Sequence, residues 1–112
     1  MDDAIILTET SRRQNKKYKA EEINYKARVD PDKLPEDMRG VPMTAVVESV
    51  RSLFMSLIRR ATEGLAPTDL IRICIQAEGL DKPISTRIMP VSKLTVEKIM
   101  TAVMKVLQSK AD

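Results

Sequence analysis

The chain lacks most of the side chains that carry chemistry near neutral pH. Its 112 residues include no histidine, no tryptophan and a single cysteine, Cys74. Histidine is the usual acid-base group and metal ligand at this pH, and no histidine is present to activate Cys74 as a nucleophile. The acidic residues do not show metal-ligand spacing. The sequence therefore predicts a protein that is not an enzyme and has no metal, cofactor or small-molecule substrate.

Other absences bear on the compartment and the class of partner. A lone cysteine cannot form an internal disulfide, which favours an intracellular, reducing compartment, either nucleus or cytoplasm. The acidic start, Met1-Asp2-Asp3, does not resemble a signal peptide, and no stretch approaches the roughly 20 apolar residues of a membrane span. We therefore expect no membrane contact. The net charge of +3 is too small to imply nucleic-acid binding by itself.

The apolar residues follow both strand and helix periods. They alternate with polar residues over residues 23–29 and 71–76, and a third strand is predicted over residues 84–89 after a turn. They recur every three or four positions over residues 46–61 and 94–107, which predicts two helices, with Thr95 as N-cap of the second. We expect an α+β fold in which two helices pack on one face of a small antiparallel sheet of three or four strands, in the order β-α-β-β-α.

The first twenty residues show little periodicity and are rich in basic side chains. They predict a flexible basic arm over residues 1–20, in which only Ile5–Leu7 favours a short strand. A single α+β domain is expected over residues 21–112. Within it, a polar loop is predicted to run from Asp30 to Pro42.

Basic residues of the arm and of the polar strand faces are candidates for contact with nucleic acid. A flexible cluster of cations neutralises phosphates without a fixed geometry. Aromatic residues for base stacking are few, since only Tyr18 and Tyr25 are available, and a merely solvated face is the alternative. The candidate residues are Arg12, Arg13, Lys16, Lys17, Lys19, Arg28, Arg72 and Arg87.

Met55 and Met104 are candidates for a protein interface. Both lie off the main apolar stripes of their predicted helices, so they are expected to form part of an exposed apolar strip for a partner or a second copy of the chain. Additional core contacts are the alternative role for these two residues.

Four segments of the C-terminal half carry a resemblance to a known family. They are Asp69-Leu70-Ile71-Arg72-Ile73-Cys74-Ile75-Gln76, Leu80-Asp81-Lys82-Pro83-Ile84, Met89-Pro90-Val91-Ser92-Lys93-Leu94-Thr95-Val96-Glu97-Lys98-Ile99 and Val106-Leu107-Gln108-Ser109. With the preceding helix and the basic start, they make about residues 16–109 resemble the amino-terminal region of large proteins of animal Polinton or Maverick elements and adinto-like viruses. In those proteins this region precedes a protein-primed family B DNA polymerase.

The resemblance implies a role in DNA replication without catalysis. The catalytic carboxylates of such polymerases belong to later segments, so no catalytic residue is expected in this chain. The resemblance implies an accessory or assembly module of a mobile-element or viral DNA-replication protein, which associates with a second copy or with another replication protein. The alternative is a domain that binds DNA directly through the basic arm and a basic sheet face.

Overall fold

Five strands and two helices make up the fold, which is described by a computed structural model covering residues 5–29 and 43–111. A short 3-10 turn at Val91–Lys93 precedes the last helix. The α+β class is confirmed, and the predicted element order is kept with one strand added at the front and the third strand divided in two. In chain order the elements are β1 (Ile5–Asn15), β2 (Ala20–Val29), α1 (Met43–Ala61), β3 (Leu70–Ala77), β4 (Ile84–Ser85), β5 (Met89–Pro90) and α2 (Val96–Ala111).

The sheet is mixed rather than antiparallel throughout. The strand order is β1-β2-β3-β4, and β5 also pairs with β3. β1 and β2 form an antiparallel hairpin, whereas β2 and β3 run parallel. The connection from β2 to β3 contains α1, and a helical crossover of this kind returns the chain to the end of the sheet where β2 began. The prediction of an antiparallel sheet was therefore wrong for the β2–β3 pair.

Residues 5–15 form a strand, whereas the sequence predicted a flexible arm. β1 pairs with β2 from Ile5 opposite Val29 to Asn15 opposite Ala20, with a bulge between Glu9 and Ser11. The short strand expected at Ile5–Leu7 is thus the beginning of a longer one. Basic residues do not prevent this pairing, because Arg13 meets Glu22 on β2 and Arg12 pairs with Glu9 within β1.

The predicted third strand is interrupted by a side chain. Thr86 donates its N–H to Ile73 O at 2.9 Å, and its hydroxyl accepts the N–H of Ile73 at 3.0 Å. The hydroxyl therefore takes the place that a backbone carbonyl has in a regular ladder. As a result, residues 84–89 form the two-residue strands β4 and β5, with an irregular segment between them.

The core lies between the two helices and one face of the sheet. Ile71, Ile73 and Ile75 alternate toward it, as their spacing predicted, and are almost fully buried. The side chains of Val46 and Val47 and the predicted loop before Pro42 lie outside the described residues. The buried cluster comprises Ile23, Tyr25, Phe54, Leu57, Ala61, Ile71, Ile73, Ile75, Ile84, Leu94, Val96, Ile99 and Ala102.

Candidate functional site

The open face of the sheet is the face that turns away from this core. By the strand register it carries Arg13 on β1, Glu22 and Lys26 on β2, and Arg72 and Cys74 on β3. The sequence predicted that the basic residues of the polar strand faces, Lys26, Arg28, Arg72 and Arg87, share one such surface. The alternation of β2 and β3 places the first three there, whereas Arg87 lies between β4 and β5 and belongs to neither strand. The remaining candidate cations are distributed over several other parts of the molecule.

Arg13 and Arg72 both pair with one buried carboxylate on the open face. Glu22 lies between them on the middle strand, opposite both in register. Its side chain is only 7% exposed, with Arg13 Nη2 at 3.3 Å from Oε1 and Arg72 Nη1 at 3.2 Å from Oε2. Asn15 Nδ2 donates to Oε1 at 3.3 Å. The glutamate offsets one of the two positive charges that these arginines present, and each arginine is engaged in an ion pair instead of being a free cation.

Arg12 lies on the other face of the sheet from Arg13. Its guanidinium pairs with Glu9 Oε1 at 3.1 Å and also donates to the backbone carbonyl of Arg60 at 3.4 Å. Arg60 is in the last turn of α1, where backbone carbonyls lack helical partners and attract cations. Arg12 therefore connects β1 to the end of α1 and does not belong to a common basic surface with Arg13.

The turn between β1 and β2 contains the densest cluster of exposed cations that the structure describes. Lys16, Lys17 and Lys19 are all exposed, as is Tyr18 between them. Lys17 Nζ lies 5.2 Å from the centre of the Tyr18 ring. The other candidate cations are remote in the register or isolated: Arg28 lies at the opposite end of β2, and Arg87 is exposed after β4.

Cys74 has a structural environment. It lies on the open face, partly buried, with its Sγ 3.6 Å from Ser85 Oγ. Ser85 Oγ also accepts the Arg72 Nε–H at 2.9 Å. Among residues 5–29 and 43–111, no group of three histidine, cysteine or acidic side chains is placed to hold a metal ion.

Met55 and Met104 are exposed on the helices, as their positions off the stripes predicted. Their side chains are 52% and 48% exposed, respectively. Met104 borders a groove between the helices, where Arg51 Nη2 pairs with Glu97 Oε1 at 3.0 Å. The pKa of the Glu97 carboxyl is lowered by a hydrogen bond from its own backbone N–H and by Arg51. The exposure of both methionines is confirmed, whereas their role as an interface stays a prediction.

Sequence reasoning missed one further feature, the outer edge of β1. Glu78 N–H donates to Ala27 O at 2.9 Å beyond the end of β3, so Ala27 directs its backbone groups toward β3. Backbone groups alternate in direction along a strand, so Tyr25, Ile23 and Glu21 do the same. The β1 residues opposite these three therefore direct their backbone N–H and C=O groups away from β2, toward the outer edge of the sheet. These β1 residues are Glu9, Arg12 and Gln14.

No strand among the described residues pairs with this outer edge. The β-branched residues of Ile5–Leu7, Thr8 and Thr10 were the available signal for a strand here. The basic composition that follows them masked that signal.

Three comparisons with known proteins found no significant match to this chain. No protein-family model matches the sequence, and no curated protein and no solved structure matches it significantly. Within the part of the chain that the structure describes, none of the helices has the length and apolar character needed to span a bilayer.

Proposed function

We propose that this chain is a non-catalytic assembly module that forms a dimer, as part of a DNA-replication protein of a mobile element or virus. The outer edge of β1 carries the proposal of assembly. The assignment to a replication protein is supported by the resemblance of residues 16–109 alone, and the intracellular location is supported by the single cysteine.

The length and direction of β1 make it suitable for pairing with another chain. It is 11 residues long, and its outward backbone groups have no strand partner among the described residues. An unpaired edge of this kind is a template for strand addition. Addition of a second copy in the antiparallel direction would build one continuous sheet across the two chains.

Charge complementarity favours a second copy as the occupant of this edge. Glu9 and Arg12 both lie on the core side of β1, because the bulge between them shifts the alternation by one residue. Within each chain Glu9 and Arg12 already pair at 3.1 Å. In an antiparallel pair with Glu9 opposite Arg12 of the second copy, the two-fold axis brings the two pairs side by side, so that each charge gains a second neighbour of opposite sign. Opposite charges across neighbouring strands stabilise pairing, whereas like charges oppose it.

The other edge of the sheet explains why assembly would stop at two copies. There, β3 is covered by β4 and β5, each of two residues, and between them the Thr86 hydroxyl accepts the N–H of Ile73. Such short and irregular strands offer little backbone for further pairing. Each chain has one usable edge, so in a two-fold dimer both edges are paired and no edge is left for a third copy.

Replacement of Gln14 by proline tests the proposal directly. Gln14 is exposed and directs its N–H outward, so Gln14→Pro removes an edge donor and leaves the ladder to β2 intact. We expect the wild-type chain to be a dimer in light scattering over a concentration series. The proline variant should be a monomer at the same concentrations, with an unchanged far-ultraviolet circular dichroism spectrum, while Gln14→Ala stays dimeric.

Variants at the exposed methionines of the helices distinguish a dimer formed through the β1 edge from one formed through the helices. Met55→Lys and Met104→Lys place charges at the two exposed methionines and should leave a β1-mediated dimer intact. If these variants dissociate the dimer and Gln14→Pro does not, the interface lies on the helices. A wild-type chain that is monomeric at all concentrations would contradict the proposal altogether.

A further inference from the structure

The turn between β1 and β2, residues 16–19, combines positive charge with an exposed aromatic ring. Its sequence is Lys16-Lys17-Tyr18-Lys19, and all four residues are exposed. The other two aromatic residues of the chain, Tyr25 and Phe54, are buried in the core. Tyr18, which is 50% exposed, is therefore the aromatic side chain that can meet a ligand.

Hydrogen bonds hold this turn in a defined shape. Asn15 Oδ1 accepts the N–H groups of Lys17 at 3.0 Å and Tyr18 at 3.2 Å, as in an Asx turn. Asn15 is itself anchored, because its Nδ2 donates to the buried Glu22. Lys19 adopts a left-handed conformation with φ of 54° and completes the reversal into β2. The three lysines and the ring are thus presented together at the tip of a hairpin.

We propose that this turn is a contact site for single-stranded nucleic acid. Lysine side chains around a hairpin tip can follow a flexible phosphate backbone. An exposed tyrosine ring stacks on a base only if that base is accessible, as it is in a single strand. Lys17 Nζ lies 5.2 Å from the centre of the Tyr18 ring, so the phosphate of a base stacked on the free face of the ring would have a cation close to it.

The ion pairs of three candidate arginines favour the turn, and not these arginines, as the contact for phosphates. Arg12 is paired with Glu9, and Arg13 and Arg72 are paired with Glu22. The lysines of the turn have no acidic partner within 4.0 Å among the described residues. This inference is independent of the proposed dimer, because it rests on the tip of the hairpin and not on the outer edge of β1.

Fluorescence anisotropy with a labelled twelve-nucleotide oligothymidylate tests the inference. Three phosphate contacts predict a slope of about −2 in the logarithm of affinity against the logarithm of salt, so affinity should fall about 20-fold between 50 and 200 mM salt. The triple variant K16Q/K17Q/K19Q should remove most of this salt dependence. The matched control K82Q/K93Q/K98Q removes the same charge from exposed lysines elsewhere and should bind like the wild type.

The ring is tested separately from the charges. Tyr18→Ala should weaken binding about 5- to 150-fold, which is the usual effect of losing one stacked base, while Tyr18→Phe should retain it. A duplex of the same sequence should bind more weakly than the single strand. Equal losses in the two lysine triples, an unchanged affinity in Tyr18→Ala, or no binding at 50 mM salt would each overturn the inference. Gln14→Pro should leave the affinity unchanged, which keeps this test distinct from that of the dimer.

Discussion

Glu22 shows how a single buried charge organises the open face. Its carboxylate accepts from Asn15 and pairs with Arg13 and Arg72, which belong to the strands on either side. A carboxylate so well removed from water is stable only if such partners replace its hydration. The two arginines are more exposed than Glu22, so their loss of hydration is smaller. Glu22 therefore links β1, β2 and β3 through one side chain.

Glu22→Gln should lower the free energy of unfolding by about 1–3 kcal/mol, because it removes the charge that both arginines face while keeping the shape of the side chain. Urea denaturation followed by circular dichroism measures this change. Glu21→Gln is the matched control, since Glu21 lies next to it on β2 and has no ion pair within 4.0 Å among the described residues. Equal losses in the two variants would contradict the role assigned to Glu22.

Tyr25 carries a polar atom in an apolar setting. Its side chain belongs to the buried cluster, and its hydroxyl has no hydrogen-bond partner in the described structure. Burial raises the pKa of this hydroxyl above its ordinary value of 10.0, and the nearby Glu9 carboxylate raises it further, against smaller opposing effects of Arg12 and Arg60. The neutral phenol is therefore favoured in the folded protein.

The raised pKa of Tyr25 sets the direction of a pH effect. Above pH 10.0 the unfolded chain loses this proton first, while the folded chain keeps it until its own higher pKa is reached. Stability should therefore fall as pH rises through that window, by up to about 1.4 kcal/mol per pH unit from this group. Tyr25→Phe should lack this part of the decline and, near pH 7, should be equally stable or more stable by up to about 1 kcal/mol.

A spectroscopic titration checks the same pKa without unfolding. In Tyr18→Phe the phenolate absorbance reports Tyr25 alone, and its midpoint should lie above 10.0. Circular dichroism recorded at each pH shows whether the chain is still folded. A midpoint at or below 10.0 in the folded protein would contradict the burial of this hydroxyl.

At the scale of elements, local signals decide where α2 begins. Thr95 Oγ1 accepts the N–H of Lys98 at 3.3 Å, as expected of an N-cap residue. Glu97 lies in the first turn, where the helix dipole favours a negative charge. The start of α2 was predicted from the sequence because all these interactions join residues within one turn.

Thr95→Ala should lower the free energy of unfolding by about 1 kcal/mol, because it removes the side-chain acceptor of the Lys98 N–H and leaves only the Thr95 carbonyl at 3.1 Å. Thermal or urea unfolding measures the loss, and Thr95→Ser should recover most of it. Thr101→Ala is the internal comparison: Thr101 is exposed in the same helix and only bonds back to Glu97 O at 2.8 Å. Alanine has the higher helix propensity, so Thr101→Ala should be neutral or slightly stabilising. Similar losses at both positions would argue against capping by Thr95.

At the scale of the whole molecule, strand order determines which surfaces are available. β2 and β3 occupy the middle of the sheet, and their apolar faces are covered by both helices. β1 forms one border with a long outer edge, whereas β4 and β5 leave only short strands at the other. This asymmetry is the basis for expecting a closed dimer instead of an open-ended assembly. The hairpin tip at Lys16–Lys19 lies at one end of β1, apart from its outer edge.

The sequence by itself determined the class of the fold, the alternating faces of β2 and β3, the stripes of the helices and the start of α2. Each depends on residues close together in the chain, whose periods of 2 and 3.6 are read directly from the order of amino acids. Exposure of Met55 and Met104 followed from the same periods. The strand in residues 5–15 was missed because its stability comes from pairing with β2 and not from a strong pattern of its own.

Only the tertiary structure decided how the charged residues are grouped. Adjacent Arg12 and Arg13 lie on opposite faces of β1. Arg12 pairs with Glu9 across the bulge, whereas Arg13 pairs with Glu22 on the next strand. Arg72 joins Glu22 from 50 residues away. Strand order, direction and register create these contacts, and they depend on long-range packing of the whole chain. A composition rich in Arg and Lys therefore predicted positive charge, while the sheet determined which cations are paired and which remain at the hairpin tip.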